Sequence, residues 1–287
     1  MEPELSMRPR WHPAASLSAA LLFLSSGPLM AAAAPRVASI NLCTDQLLLT
    51  LADRPQILGL SPYSRDEARA WNVAAARTYL QLSGEAEDVL MLRPDIVVAG
   101  RFTKRATREL LKEQGLNVVE FDVPRTLDEV KAQILKMGDV LGHRDRALAQ
   151  IQKLDAAIAR VKAAAGSTGY RVLALSRRGW VAGSDGLITS LLDAAGLRNA
   201  ANELGNANGG FASLESIVRL KPDMLLVASN REFAEDEGQA FLLHPALERL
   251  YPPSKRLVIP EKLTVCGGPM LADALDRLAA ELERVTH

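Results

Sequence analysis

The chain has 287 residues, 48% of them hydrophobic and only 5% aromatic, with 34 basic and 34 acidic side chains. This is ordinary globular composition, long enough for one large domain or two small ones. A net charge of zero gives no electrostatic pull toward nucleic acid or an anionic membrane surface.

In chain order, the first segment reads as a leader. Arg8 and Arg10 precede the apolar stretch "AASLSAALLFLSSGPLM", and "AAAAPR" follows, with Ala31 and Ala33 fitting a small-residue cleavage rule. Residues 1–33 are therefore expected to be a signal peptide, with Met1 or Met7 as the start and cleavage after Ala33. No cysteine follows the cleavage site to carry a lipid anchor. The mature chain is expected in the periplasm as a soluble monomer.

Short apolar runs then alternate with helical stretches. Strands are expected at 36–40, 56–60, 95–100 and 117–121, with helices near 44–52, 85–92 and 103–114. The scheme returns with strands at 170–176, 223–229 and 256–260, and helices near 187–195, 213–220 and 268–284. Such alternation implies an α/β fold with parallel sheets. One sentence is written twice, as "AEDVLMLRPDIVVAG" at 86–100 and "LESIVRLKPDMLLVA" at 214–228. Glu87 answers to Glu215, Leu92 to Leu220, Pro94 to Pro222 and Asp95 to Asp223. Val89 and Leu92 are the expected buried stripe of the first copy, and Gly84 and Ser213 the candidate caps. A spacing of this size is too long for a solenoid and suggests two similarly built halves. Between them, Leu148, Ile151, Leu154, Ile158 and Val161 recur at steps of three and four, which predicts one long helix over 144–165. The expected organisation is an N-terminal lobe at 34–142, a stiff connecting helix at 143–166 and a C-terminal lobe at 167–287, with a cleft between the lobes.

Ligands of α/β sheets bind beyond the carboxyl ends of the strands. That rule selects Asn41 and Cys43 after the first strand, and Tyr63 and Arg65 after the second. In the second half it selects Arg177, Arg178 and Trp180, and Cys266 after the last strand. The two cysteines have three open states: free thiols beside a ligand, a cross-cleft disulfide, or paired soft metal ligands. Free thiols are the expectation. A serine hydrolase is the reading from another class. "AGSDG" around Ser184 approaches a nucleophile elbow, with His143 or His244 as the candidate base. No dinucleotide fingerprint follows the first strand, and the few histidines argue against a free-metal site. The chain is expected not to be an enzyme and to need no cofactor.

The doubled helix-start acid, with "ASINLCTDQLLLTL", "LGLSPYSRD" and "GWVAGSDGL", resembles the periplasmic substrate-binding proteins for vitamin B12 and iron complexes. The resemblance covers 35–287 and implies two α/β lobes joined by one backbone helix. It also implies delivery of a ligand to the permease of an ATP-binding-cassette importer, with Glu87 and Glu215 docking on permease arginines. Tyr63 falls on a position whose ring packs on the corrin. Trp180 falls on an aromatic position of the opposite lobe, and Phe211 lies near another. Departures from the pattern are Lys262 and Cys266, where polar contacts to cobalamin are found, and Gln81 or Gly100, where a tryptophan stands. A corrinoid is the expected ligand, itself a metal complex. A ferric siderophore gathered by Arg65, Arg177 and Arg178, or a haem with Tyr63 as axial ligand, is the alternative.

Overall fold

The computed structural model describes Met1 and residues 34–166, 169–205, 207–229 and 237–286. The expected signal peptide lies outside these residues apart from Met1, and the unit described here begins at Ala34.

The first half contains β1 (Val37–Ser39), α1 (Leu42–Leu51), β2 (Ile57–Gly59), α2 (Val73–Ala76), α3 (Ala86–Leu92), β3 (Ile96–Gly100), α4 (Arg105–Glu113), β4 (Asn117–Phe121) and α5 (Leu127–Leu141). Its four strands form a parallel sheet in the order β2-β1-β3-β4. A long helix, α6 (Arg144–Ala165), leads to the second half. There β5 (Arg171–Ala174), β6 (Trp180–Val181), α7 (Leu187–Ala194), β7 (Arg198–Asn199), β8 (Gly210–Phe211), α8 (Leu214–Leu220) and β9 (Met224–Val227) follow one another. After them come α9 (Glu237–Ala240), α10 (Pro245–Leu250), β10 (Arg256–Val258) and α11 (Leu271–Thr286). A second parallel sheet runs β10-β9-β5-β7, and β6 and β8 form a small antiparallel ribbon. The molecule is thus two α/β lobes with parallel sheets.

The central strands carry no alternation because both of their faces are covered. Every residue of β1 and β9 is buried, which is why "VAS" and "MLLV" read as unbroken small or apolar runs. Edge strand β4 is mostly half-buried and keeps Asn117 and Glu120.

The doubled sentence is a doubled structure. Glu87 and Glu215 both occupy the second helical position, and the two helices end on Arg93 and Lys221 with the same left-handed backbone, φ 47° in each. The turn is locked in the same way in both lobes. Arg36 N–H donates to the Asp95 carboxylate and its guanidinium to Arg93 O, while Arg171 N–H donates to the Asp223 carboxylate and its guanidinium to Lys221 O. These paired bonds satisfy the carbonyls a helix end leaves open. Ser213 caps α8 as expected, accepting from Ser216 N. In the first copy Gly84 does not cap α3: the N-cap position is Glu85, whose side chain makes no capping bond. Val89 is buried there and Leu92 only half-buried.

Helix α6 occupies the expected range, but its buried face is rotated. Ala147, Leu154, Ala157, Val161 and Ala165 are buried, whereas Leu148 is exposed. The reason is close approach by neighbouring helices to small side chains. A Cβ on Gly138 of α5 would meet the Ala147 Cβ at 2.5 Å, so the two helices touch where neither has bulk. On the C-terminal side Arg160 clasps Asp276 of α11 in a two-bond fork at 2.7 and 2.8 Å. Helix α5 was not anticipated as a separate element. Its Leu127, Val130, Ile134, Met137 and Leu141 form a regular buried stripe, capped by Thr126 and stopped by Gly142.

Candidate functional site

Beyond the carboxyl ends of β5, β9 and β10 lies a cavity of ≈ 670 Å³ that is lined from both lobes. Glu67 and Ala68 come from the first lobe, and Arg177, Arg178, Trp180, Phe211 and Lys262 are among the contributors from the second. A smaller hollow of ≈ 310 Å³ continues it over the ends of β5, β9 and β10, sharing Ser176, Trp180, Ala228 and Glu261.

The aromatic wall is built by the β6–β8 ribbon. Trp180 and Phe211 are direct cross-strand partners, with ring centroids 5.1 Å apart in an edge-to-face arrangement. The backbone leading to Trp180 is unusual. Arg178 is held at φ 59°, a left-handed conformation that costs a non-glycine residue energy. Gly179 follows at φ 78° and packs so close to Ala212 O that a Cβ would sit 2.5 Å from it. Gly209 leaves room for the indole, since a Cβ there would meet Trp180 at 3.0 Å. The strain turns the indole outward: Trp180 is 41% and Phe211 67% exposed. Among the described residues the exposed aromatic side chains are these two, Tyr63 at 51% and Phe102 at 83%. All four lie just beyond the carboxyl end of a strand or on the ribbon paired to it. Phe102 was missed in the sequence, although the same strand-end rule applied to the turn after β3 would have found it.

A family model described as periplasmic binding protein matches residues 37–252. The chain belongs to that family. A cobalamin-binding protein of Halobacterium salinarum is 23% identical over 219 residues, which cover 75% of this chain and 59% of that one. This chain thus spans about three fifths of the curated relatives it matches. A periplasmic heme-binding protein from Roseiflexus sp. RS-1 has the same fold, with TM-score 0.71 and 22% identity over 88% of this chain and all of the other. A periplasmic heme-binding protein of Pseudomonas aeruginosa gives TM-score 0.69 and 26% identity, over 86% of this chain and 92% of the other.

In this periplasmic binding protein the remaining candidate residues divide into exposed and engaged groups. Glu87 and Glu215 are both exposed at helix starts. Each helix doubles back into its strand through the tight turn at Arg93 or Lys221, so both acids stand at the carboxyl-end edge of their sheets. The Glu215 carboxyl is held below the usual range by its own backbone N–H and by Ser213, so it stays ionised. Asn41 is engaged: it caps α1, accepting from Cys43 N at 2.9 Å, and packs on Gly100. Arg65 is engaged as well, its guanidinium donating to Tyr79 O at 2.8 Å and its Nε buried. Tyr63 stands beneath the Arg69 guanidinium, 6.0 Å from the ring centroid, and is not part of the wall opposite Trp180, which Glu67 and Ala68 supply.

The expectation of free thiols is overturned. Cys43 and Cys266 form a disulfide, with Cα atoms 5.3 Å apart. The second residue of α1 and the turn before α11 meet at the cleft floor, so the pair has no thiol to offer a ligand. A hydrolase constellation is likewise not assembled. His143 Nε2 is 2.8 Å from Gln56 Oε1 and 3.2 Å from Asp53, and His244 Nδ1 accepts from Ala246 N as the cap of α10. Those are the histidines among the described residues, and Ser184 is bonded to neither.

One buried carboxyl went unnoticed in the sequence. Asp45 on α1 is fully buried, accepting from Ser61 N at 3.0 Å and from the Ser61 hydroxyl. Burial outweighs these bonds and pushes it up to about 7.

Proposed function

We propose that this protein captures a corrinoid in the inter-lobe cleft and delivers it to the permease of an ATP-binding-cassette importer in the bacterial envelope. The observation that carries the ligand class is that, among the described residues, the exposed aromatic side chains lie just beyond strand ends or on the ribbon, and that Trp180 and Phe211 of these line the cavity. A large, flat, mostly apolar ligand needs such faces, with a few polar groups to orient it. Trp180 and Phe211 serve as the wall. Arg177, Arg178 and Lys262 stand around them to meet amide or carboxylate arms. The cobalamin-binding relative supports the corrin. Export by residues 1–33 belongs to the same reading, as do the monomeric state and docking through Glu87 and Glu215.

Titration of the purified protein with cobalamin, followed by Trp fluorescence, tests it. Quenching that saturates at one equivalent, and that Trp180→Ala abolishes, is the expected result. No quenching with cobalamin but saturation with haem would transfer the reading to haem. That second reading rests on Tyr63, half-exposed beneath Arg69, as a potential axial ligand near a cation.

A further inference from the structure

The lobes are joined at more than α6. Besides the disulfide, Trp71 Nε1 donates to Asp273 at 3.0 Å, Arg125 pairs with Asp185 at 2.6 Å, and Leu127 N–H donates to the Ser190 hydroxyl at 3.0 Å. Only the disulfide and α6 are covalent. A disulfide holds its Cα atoms within about 4.4–6.8 Å whatever the lobes do, and they stand at 5.3 Å here. Two covalent links between two stiff bodies leave one easy motion, a rotation about the line joining the links. The bond closes a chain separation of 223 residues, and Cys266 is buried while Cys43 is half-buried. Thr264 and Val265, just before Cys266, line the smaller hollow, so the anchored point lies under the candidate ligand.

We infer that the Cys43–Cys266 disulfide is the fixed end of a hinge. It holds the two lobes together at the cleft floor and confines opening to a swing that breaks Arg125–Asp185 and Leu127–Ser190. Arg125 and Leu127 follow the edge strand β4 on one lobe, and Asp185 and Ser190 lie just before and within α7 on the other. Without the disulfide the floor itself parts, and the lobes separate more often and further. The role of the cleft in holding a ligand is the reading given above, but the hinge is tested on the ligand-free protein.

The probe is amide hydrogen exchange at Leu127, whose N–H is covered by a hydroxyl of the opposite lobe. Ser190→Ala sets the unprotected rate, and Ile40, whose N–H donates to Val98 O within one lobe, is the control. In the Cys43→Ser/Cys266→Ser protein, Leu127 should exchange at least tenfold faster than in the disulfide-bonded chain, while Ile40, in the sheet core, gains only what the variant's lower global stability gives it and stays the slower of the two. Folded wild-type protein treated with an excess of a small dithiol, which is oxidised to its cyclic disulfide as the two thiols form, should behave alike. Unchanged exchange at Leu127 would overturn the inference. So would exchange of Leu127 and Ile40 at one common rate, or loss of folding in both arms, since the bond would then hold the fold and not the hinge.

Discussion

Trp180 is the side chain on which the candidate site turns, because the backbone around it accepts strain to present it. Replacing it with Ala removes an aromatic face worth about 1 kcal/mol or more, so corrinoid affinity should fall at least about fivefold. Equilibrium titration against wild type measures this, and an affinity within a factor of two would remove Trp180 from the wall. Asp45 gives a second test at this scale. Its folded carboxyl keeps a proton up to about pH 7, whereas the ordinary value is 3.8. Between those values the folded state binds the extra proton. The group therefore favours folding at low pH, and that contribution is lost as the pH rises toward 7. Asp45→Asn keeps the acceptor for Ser61 without the charge. Its melting temperature should rise relative to wild type as the pH goes from 4 to 8, and a constant difference would contradict the assignment. Trp180 and Phe211 were legible because they interrupt an aromatic-poor sequence beside strand ends. At Arg65 and Asn41 the sequence could not separate a ligand contact from the loop carbonyl and helix cap they serve, because a polar side chain at a strand end suits either.

Among the elements, the strands were the most legible. Strands buried on both faces give apolar runs bounded by turns, and β3, β5 and β9 sit within the ranges expected for them. The repeat helices were legible because Pro94 and Pro222 punctuate them in the same register. Less was visible in the helical middle of the chain. α5 and α6 are separated by only Gly142 and His143, and the alanines of α6 hide its true inner face from a count of large apolar residues. The packing makes Leu154 the test of that face. It is fully buried, so Leu154→Ala should cost about 2–5 kcal/mol, whereas Leu148→Ala on the exposed side should cost less than about 0.5 kcal/mol. Chemical denaturation of the two variants distinguishes the faces; equal losses would mean that the helix is wrongly rotated.

For the whole molecule, the pairing of Cys43 with Cys266 was open in the sequence because only the meeting of the lobes decides it. A bond that closes so long a loop restricts the unfolded chain strongly, by about 5 kcal/mol in the chain-entropy account. Cys43→Ser/Cys266→Ser should therefore lower stability by several kcal/mol in equilibrium denaturation. The acids belong to this scale too. Glu87→Lys/Glu215→Lys should leave corrinoid affinity unchanged and weaken association with the importer steeply, because opposed charges steer and fix such docking. Uptake at the wild-type rate by this variant would show that the repeat is shared helix architecture alone. The central claim, capture of a corrinoid, is tested most directly by the visible absorption spectrum of the protein purified from its own cells. Corrin bands at one equivalent per chain are the predicted result; a haem Soret band, or a ferric chelate's charge-transfer band in place of the corrin bands, would contradict it.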